Sequence, residues 1–201
     1  MAESGTRRKD VTSARGSLNG YQKGHCFYCY VPIDAADGTA RTEGGLILDL
    51  GCGSGRDSLA FLEAGLAVDA VDGSAEMVKA ASELTGLRAE HATFADFEPK
   101  GGYDGIWACS SLLHVPAAEL PAIVAKYAAA LKPGGRFYLS FKIGDHDGMR
   151  NGRWFTDMTE QSFRRLIDGV EDLTVDRIDV TSDVRPMRSD EKWLNAWGTR
   201  S

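Results

Sequence analysis

The sequence predicts an α/β protein with a doubly wound, mostly parallel sheet, and the pattern of its apolar segments leads to this prediction. Short apolar runs typical of buried strands alternate with amphipathic runs of helical period from residue 46 onward. The last two strand-like runs follow each other without a helix between them, which predicts that the sheet ends in antiparallel strands. With 201 residues, the chain is long enough for one such domain with a buried core.

The first elements have clear local signals. The apolar runs 46–50 and 67–71 predict two strands, and the helical run between them ends at Gly65. Ser74 predicts the N-cap of the second helix because its hydroxyl can accept a backbone N–H of the first turn. Short strands are predicted at 87–91 and 103–109.

The later elements are predicted in the same way. Pro121 lies in the apolar helical run 116–131, so the regular helix is expected to start late. Thr159 predicts the N-cap of a last helix. The other expected elements are strands at 136–143, 173–181 and 193–197, with a polar loop at 144–155.

Composition and charge exclude several classes of protein. The formal net charge of −6 argues against a protein that coats nucleic acid, which needs clustered basic residues. No apolar run approaches the length of a membrane helix, and the N-terminus lacks the apolar core of a signal peptide. The four cysteines are expected to be free thiols in a reducing compartment. We therefore expect a cytoplasmic protein without membrane or nucleic-acid partners.

The chemistry is expected at the turn after the first strand, where Gly51, Gly53 and Gly55 stand at alternate positions. Glycines there allow unusual backbone angles and let a ligand lie against the main chain. A dinucleotide fingerprint, G-x-G-x-x-G, needs its third glycine at residue 56, which is an arginine here. Asp49 at the end of the strand would repel a diphosphate and attract a cation.

A second carboxylate narrows the ligand further. Asp72 ends the second apolar strand, the position at which an acidic side chain accepts the hydroxyls of a ribose. A nucleoside that carries positive charge and no phosphate suggests S-adenosylmethionine. The sequence therefore predicts this cofactor.

The motifs resemble those of class I S-adenosylmethionine-dependent methyltransferases. The resemblance rests on D-L-G-C-G-S-G from Asp49, on D-G-S from Asp72, and on the segments Y-D-G-I-W-A-C and L-K-P-G-G-R-F-Y-L that begin at Tyr103 and Leu131. It covers residues 45–201 and implies a Rossmann-like sheet with an antiparallel last strand. The L-K-P-G-G turn is similar to that of the branch that methylates small molecules, near the tellurite-resistance enzymes.

The resemblance also implies roles for individual residues. The loop and the end of the first strand would hold the methionyl part of the cofactor, Asp72 with Gly73 the ribose, and Asp96 with the amide of Phe97 the adenine. Asp96 has the alternative role of capping a turn, and Met77 packs either on the adenine or on its own helix. The complete predicted cofactor site is Asp49, Gly51, Cys52, Gly53, Gly55, Arg56, Asp72, Gly73, Met77, Asp96, Phe97 and Cys109.

The methyl acceptor is expected to be a small molecule bound beyond the fourth and fifth strands. His114 follows the fourth strand and is either a general base or a packing residue. A thiolate, amine or metalloid acceptor needs no base, whereas a hydroxyl does. In the polar loop, His146, Arg150, Arg153 and Trp154 could contact an anionic or aromatic acceptor, or be solvated.

Residues 1–44 are predicted to form a flexible leader to a methyltransferase domain at 45–201. Cys26 and Cys29 have the spacing of a zinc knuckle, and the passage resembles the first knuckle of HNH-type nucleases. No second C-x-x-C completes the ligands, so no metal is predicted, and the aromatic residues either cover the cofactor cleft or belong to the leader. Two alternative functions stay open: a nicotinamide-dependent oxidoreductase, and a non-catalytic cofactor-binding protein with a remnant zinc knuckle.

Overall fold

The computed structural model describes residues 44–183, 188 and 190–201. The predictions for the leader, including those for Cys26 and Cys29, lie outside these residues and stay predictions. No helix in the described part of the chain combines the length and the apolar character needed to cross a membrane.

The described residues form an α/β fold whose main sheet has seven strands. The chain runs through β1 (Leu46–Leu50), α1 (Arg56–Glu63), β2 (Ala67–Asp72), α2 (Ala75–Thr85), β3 (Glu90–His91), β4 (Tyr103–Ala108), a short 3₁₀ helix (Leu112–His114), α3 (Leu120–Ala130), β5 (Leu131–Lys142), β6 (Asp147–Arg150), β7 (Arg153–Thr156), α4 (Glu160–Asp168), β8 (Leu173–Ser182) and β9 (Lys192–Arg200). The strand order is β3-β2-β1-β4-β5-β9-β8. The predicted fold class is confirmed.

The direction of winding changes between β1 and β4. These two strands pair in parallel although β2 and β3 lie between them in sequence. Right-handed crossovers then put α1 and α2 on one face of the sheet and α3 on the other. In such a sheet, the loops that leave the carboxyl ends of the two central strands diverge and leave a crevice. This crevice lies between the loop after β1 and the segment after β4.

The antiparallel end of the sheet differs in detail from the prediction. The last strand, β9, is antiparallel to both β5 and β8, and it lies between them instead of at the edge. It also extends to Lys192–Arg200, well beyond the apolar run 193–197. Its polar end residues still pair because Arg136 and Thr199 lie opposite each other in the ladder.

The polar loop predicted at 144–155 is wrong, since most of it forms a β-hairpin. Strands β6 and β7 pair antiparallel and are joined by Asn151 and Gly152, which have φ angles of 52° and 78°. Positive φ at both central residues is what a two-residue hairpin turn requires, and Asn-Gly favours it. A two-stranded ribbon need not bury a continuous apolar face, so its strands can lack the apolar alternation that predicts a strand from sequence.

The other elements follow their local signals closely. Ser74 caps α2 by accepting the amide of Met77, and Thr159 forms a capping box with Ser162 on α4. Helix α3 begins at Leu120, with proline in its first turn as predicted. The third strand is reduced to Glu90–His91, and β5 starts five residues earlier than predicted, at Leu131 instead of Arg136.

Candidate functional site

The loop after β1, residues 51–55, is called the glycine loop here, and it lies against the segment that leaves β4. A Cβ added to Gly51 would be 2.3 Å from the Cβ of Ser111, which leaves no space for a side chain. The amides of Gly51 and Cys52 both donate to the carbonyl of Val71 at 2.9 Å. The loop is therefore anchored to the ends of β2 and β4, the strands on either side of β1.

The three glycines have different surroundings. A Cβ at Gly55 would be 2.8 Å from the Cα of Ala81, so this glycine lets α1 pack against α2. Gly53 has a φ of 54°, and a Cβ built on it would have no atom within 4 Å. Of the three, Gly53 is thus the one that borders open space.

Asp72 connects the glycine loop to the N-terminus of α2. One carboxylate oxygen accepts the amide of Gly53 at 2.9 Å, and the other accepts the amide of Ser74 at 2.8 Å. The residue is half-buried and the neighbouring Gly73 is exposed. Asp72 therefore has free lone pairs at the rim of the crevice while its carboxylate is held in place.

Asp49 is the buried acid of the site, with 2% of its surface exposed. The hydroxyl of Ser58 on α1 donates to it at 2.5 Å. Burial, followed by the negative charge of Asp57, raises the pKa of the Asp49 carboxyl to about 8. A positive charge near this carboxyl would favour its ionised form.

The electrostatics of the loop are dominated by carboxylates. Burial raises the pKa of the Cys52 thiol, and the charges of Asp49, Asp72 and Asp57 raise it further. Three carboxylates from different elements therefore act on the same short loop. Such a loop favours a cationic ligand over a phosphate, because the carboxylates would repel the negative charges of a phosphate.

The segment predicted to contact adenine, after β3, has a different arrangement from the one expected. Asp96 is exposed, and its carboxylate accepts the hydroxyl of Thr93 at 2.6 Å. The amide of Phe97 donates to the carbonyl of Thr93 at 3.0 Å, and the Phe97 ring is buried against Tyr127. Asp96 thus forms a local hydrogen bond with Thr93 within the turn, and its contact with adenine stays a prediction. Phe94 instead reaches the loop, since its ring would be 3.4 Å from a Cβ at Gly51.

The segment after β4 carries two serines that the sequence analysis did not single out. Ser110 has a φ of 54°, and its amide donates to the hydroxyl of Ser140 at 2.8 Å. Ser111 is 5% exposed, and its hydroxyl has no hydrogen-bond partner among the described residues. A buried hydroxyl without a partner costs free energy, so its position beside Gly51 is a sign of a ligand contact. Cys109 is a half-buried cysteine next to them.

His114 is half-buried at the end of the 3₁₀ helix and contacts the β6–β7 hairpin. Its Nδ1 lies 2.8 Å from the carbonyl oxygen of Trp154, and its ring meets Phe155 edge-on at 4.8 Å. Burial lowers the pKa of His114, as does the charge of Arg153, and the Trp154 carbonyl opposes this shift. Because a carbonyl only accepts, Nδ1 carries the proton and Nε2 the lone pair.

The hairpin is fastened to the 3₁₀ helix by hydrogen bonds. Thr156, which is 2% exposed, donates to the carbonyl of Val115 at 2.7 Å. Asp147 accepts the indole N–H of Trp154 at 2.7 Å and the amide of Ala117 at 3.2 Å. Two of these contacts, Thr156 to Val115 and Ala117 to Asp147, join residues that are 41 and 30 positions apart in sequence.

Two basic residues, Arg150 in the hairpin and Lys142 at the end of β5, are paired with carboxylates. Arg150 contacts Asp157 at 2.5 Å, and its guanidinium lies 4.9 Å from the centre of the Phe155 ring. Lys142 pairs with Glu191. Among the described residues, no group of three or more histidine, cysteine or acidic side chains could hold a metal ion.

Comparison with known proteins gives similarities to methyltransferases. Residues 47–135 match the family described as "Methyltransferase domain". Over this stretch the chain is similar to that family. Over 118 residues it is 33% identical to the ubiquinone biosynthesis O-methyltransferase of Xanthomonas oryzae, an alignment that covers 55% of this chain and 48% of the relative. The chain thus spans about half the length of the curated relatives that it matches.

Solved structures of methyltransferases share the fold of this domain. The 1,6-didemethyltoxoflavin-N1-methyltransferase of Burkholderia thailandensis, solved with S-adenosylhomocysteine, is 22% identical with a TM-score of 0.69, covering 96% of this chain and 87% of that one. The magnesium protoporphyrin IX methyltransferase of Synechocystis, solved with S-adenosylmethionine, is 21% identical with a TM-score of 0.62, covering 100% of this chain and 86% of that one. The predicted resemblance to class I methyltransferases is confirmed at the level of the domain and its fold.

Proposed function

We propose that this protein is an S-adenosylmethionine-dependent methyltransferase that acts on a small-molecule acceptor. The observation that carries the proposal is the carboxylate of Asp72, which accepts the amide of Gly53 in the glycine loop at 2.9 Å, with the carboxyl groups of Asp49 and Asp57 acting on the same loop. The cofactor has a positive sulfonium and no phosphate, so it suits this loop. The diphosphate of a nicotinamide cofactor would be repelled, which disfavours an oxidoreductase.

The residues of the crevice fit the cofactor. Gly53 offers open space beside the main chain, and Asp72 has lone pairs for two ribose hydroxyls. Ser111 supplies a buried hydroxyl that lacks a partner in the described structure. These groups sit on three different strand ends, so they can surround a nucleoside with an amino-acid tail.

We assign the predicted residues to parts of the cofactor on this basis. The glycine loop and Asp49 would hold the methionyl part of the cofactor. The segment that starts at Cys109 would contact the same part. Asp72 and Gly73 would hold the ribose. Phe94 is a better candidate than Phe97 for the adenine side, since the amide of Phe97 already donates to the carbonyl of Thr93 whereas the Phe94 ring reaches the glycine loop. The remaining proposed contacts are Cys52, Arg56, Met77 and Asp96.

The protein's contribution to methyl transfer is alignment and exclusion of water. When bound, the cofactor supplies a methyl group already activated by the positive sulfur. The carboxylates around the glycine loop hold the cationic end in a fixed orientation. The hairpin covers the segment after β4, where we place the acceptor.

The relatives differ in the atom that they methylate. The names of these enzymes specify an oxygen acceptor for the ubiquinone enzyme and N1 of the substrate for the toxoflavin enzyme. Similarity to these enzymes therefore does not define the acceptor atom of this chain.

We also propose a cytoplasmic location and a leader at 1–44 that precedes the catalytic domain at 45–201. The buried thiol of Cys52, which forms no disulfide, supports a reducing compartment. The net charge of −6 supports a small-molecule acceptor over nucleic acid.

Calorimetric titration of the purified full chain with S-adenosylmethionine, and separately with NAD, tests this function. We expect saturable binding of S-adenosylmethionine and no heat of binding with NAD. Binding of NAD alone would overturn the proposal. In parallel, transfer of a labelled methyl group to added small molecules tests catalysis beyond binding.

A further inference from the structure

One face of the β6–β7 hairpin carries Phe155 and is called the inner face here. Because side chains alternate along paired strands, the inner face comprises His146, Arg150, Arg153, Phe155 and Asp157. The contacts agree with this placement, since Arg150 pairs with Asp157 at 2.5 Å and its guanidinium lies 4.9 Å from the centre of the Phe155 ring. The inner face is turned toward the end of β5, because Nζ of Lys142 lies 5.8 Å from the centre of the same ring.

The inner face lies at the edge of the sheet where ligands bind in folds of this kind. Lys142 is the last residue of β5. The 3₁₀ helix, which contacts the hairpin through His114, follows β4. Both therefore belong to the carboxyl ends of parallel strands, as the glycine loop does. A molecule held by the inner face is at the same edge as the proposed cofactor crevice.

Basic side chains outnumber carboxylates around the aromatic ring of the inner face. Arg150 and Lys142 each pair with one carboxylate, that of Asp157 and that of Glu191. Arg153 lies opposite Arg150 in the hairpin and has no carboxylate partner among the described residues. These five side chains carry three positive and two negative charges, so together they suit a ligand with a single negative charge.

Two polar atoms of the inner face are buried without a hydrogen-bond partner in the described part of the chain. They are Oδ1 of Asp157 and Nε2 of His146. The Asp157 side chain is only 9% exposed, and its other oxygen accepts the hydrogen bond that Arg150 donates through Nη2. The other N–H groups of this guanidinium are available to a ligand. Since a buried polar atom without a partner costs free energy, the cluster has the properties of a site that a ligand completes.

We propose that the inner face recognises the methyl acceptor, and that it selects a monoanion with both a carboxylate and a hydrogen-bond donor, as in a hydroxy acid or an amino acid. Arg150 binds the carboxylate, and Oδ1 of Asp157 accepts the donor. This inference rests on the proposed methyltransferase function. It names the chemical class of the acceptor, which that function leaves open.

The charges and hydrogen-bond groups of the inner face disfavour other classes of acceptor. The planar guanidinium of Arg150 matches the two oxygens of a carboxylate. A doubly charged phosphate would be repelled by Asp157 and Glu191, which lie among the same cations. A neutral acceptor would cover Arg150 without offering it a charged partner. An acid without a donor would leave Oδ1 of Asp157 unpaired.

Calorimetric titration of the full chain, saturated with S-adenosylhomocysteine, tests this class with defined probes. The acid probes 3-hydroxybenzoate and 3-aminobenzoate carry both groups, whereas 3-hydroxybenzamide lacks the charge and benzoate lacks the donor. We expect saturable binding of both acid probes, about tenfold or more tighter than 3-hydroxybenzamide and about threefold or more tighter than benzoate. Absence of binding by both acid probes, or equal affinity for 3-hydroxybenzamide, would overturn the inference.

The variant Arg150→Gln tests the residue that we assign to the carboxylate. It should lower the affinity for the acid probes about tenfold or more and leave the affinity for 3-hydroxybenzamide unchanged. A purely structural role of Arg150 would instead weaken the binding of all probes alike, which would contradict the assignment. Arg164→Gln is the matched control, because Arg164 also pairs with an acid, Glu160, but lies on α4 outside the inner face. It should keep the preference for the acid probes.

Titration of the same samples with S-adenosylmethionine distinguishes a failure of this inference from a failure of the proposed function. We expect wild type and Arg150→Gln to bind the cofactor equally well. Cofactor binding by a wild type that shows no preference for the acid probes would overturn the acceptor class alone. A wild type that does not bind the cofactor would overturn the proposed function, and this inference with it.

Discussion

The glycine loop and the β6–β7 hairpin border the same end of the sheet but are built in opposite ways. In the glycine loop, close approach of main chains decides the structure, as at Gly51, where a Cβ would collide with Ser111. In the hairpin, hydrogen bonds between distant residues decide it, as between Thr156 and Val115. The first kind of site leaves a motif in the sequence, whereas the second leaves almost none.

Because the two regions are built differently, substitutions should affect cofactor binding and methyl transfer independently. Changes in the glycine loop should remove cofactor affinity, and changes at the hairpin should spare affinity and remove turnover.

The largest effect is expected for Asp72→Ala. Asp72 accepts two backbone amides in this structure, and we propose that it also accepts two ribose hydroxyls. The variant should lose about 100-fold or more in cofactor affinity by calorimetry, since hydrogen bonds to charged groups are strong. It should also lose about 1–3 kcal/mol of stability because two amides lose their acceptor.

Asp104→Ala is the matched control for this variant. Its carboxylate likewise accepts a backbone amide, that of Leu46 at 2.8 Å, but it lies at the start of β4, away from the crevice. It should lose stability and keep cofactor affinity. Equal losses of affinity in both variants would mean that the Asp72 effect is structural.

A smaller effect is expected for Gly53→Ala. A φ of 54° costs an alanine about 1 kcal/mol, and the added methyl group would enter the space that we assign to the cofactor. Cofactor affinity should fall about tenfold or more. Gly65→Ala is the control, because Gly65 also has positive φ and open surroundings but lies outside the loop. A normal affinity in Gly53→Ala would remove the methionyl assignment.

The pH dependence of the Asp49→Asn variant should distinguish the effect of Asp49 on stability from its effect on cofactor affinity. The pKa of Asp49 is about 8 in the folded chain, raised from 3.8, so the unfolded chain loses this proton first as pH rises. Its stabilising contribution is complete below about pH 4 and is lost as pH rises to about 8. In urea denaturation, the free energy of unfolding of the wild type should therefore fall relative to that of Asp49→Asn as pH rises from about 4 to about 8.

Cofactor affinity should respond in the opposite direction. The cationic cofactor favours ionised Asp49, so wild-type affinity should rise with pH and level off above about pH 8. Asp49→Asn should bind more weakly and lose this pH dependence. A wild-type affinity that is flat between about pH 6 and about pH 9 would contradict the role of Asp49.

The smallest effect is expected for Ser111→Ala. Removing a buried hydroxyl that lacks a partner should raise the stability of the free protein by up to about 1 kcal/mol, while cofactor affinity falls a few fold. Ser140→Ala provides the contrast, since Ser140 accepts the amide of Ser110 and its loss should destabilise the protein. Ser111→Ala with lower stability and unchanged affinity would contradict a ligand contact.

The sequence predicts the fold well for a physical reason, and the same reason lets it single out the glycine loop as the candidate cofactor site. Strand periodicity, the glycine spacing and the caps at Ser74 and Thr159 are local properties, which do not depend on distant partners. The Asp96 position is less certain from sequence, because an acid after a strand can either contact a ligand or cap a turn, and here it accepts from Thr93.

The acceptor half could not be predicted to the same degree. The tautomer of His114 depends on a carbonyl 40 positions away, and the orphan hydroxyl of Ser111 is recognised only once its neighbours are known. One signal was available, the Asn151-Gly152 pair, which is typical of a tight hairpin. It was obscured by the charged residues around it.

The account rests on a cationic adenosyl cofactor lying across the glycine loop, and a crystal structure with S-adenosylmethionine tests this most directly. We expect the ribose hydroxyls within hydrogen-bond distance of Asp72 and the methionyl part over Gly53, with its polar end near Ser111. A cofactor bound elsewhere, or a ribose without contact to Asp72, would contradict the account.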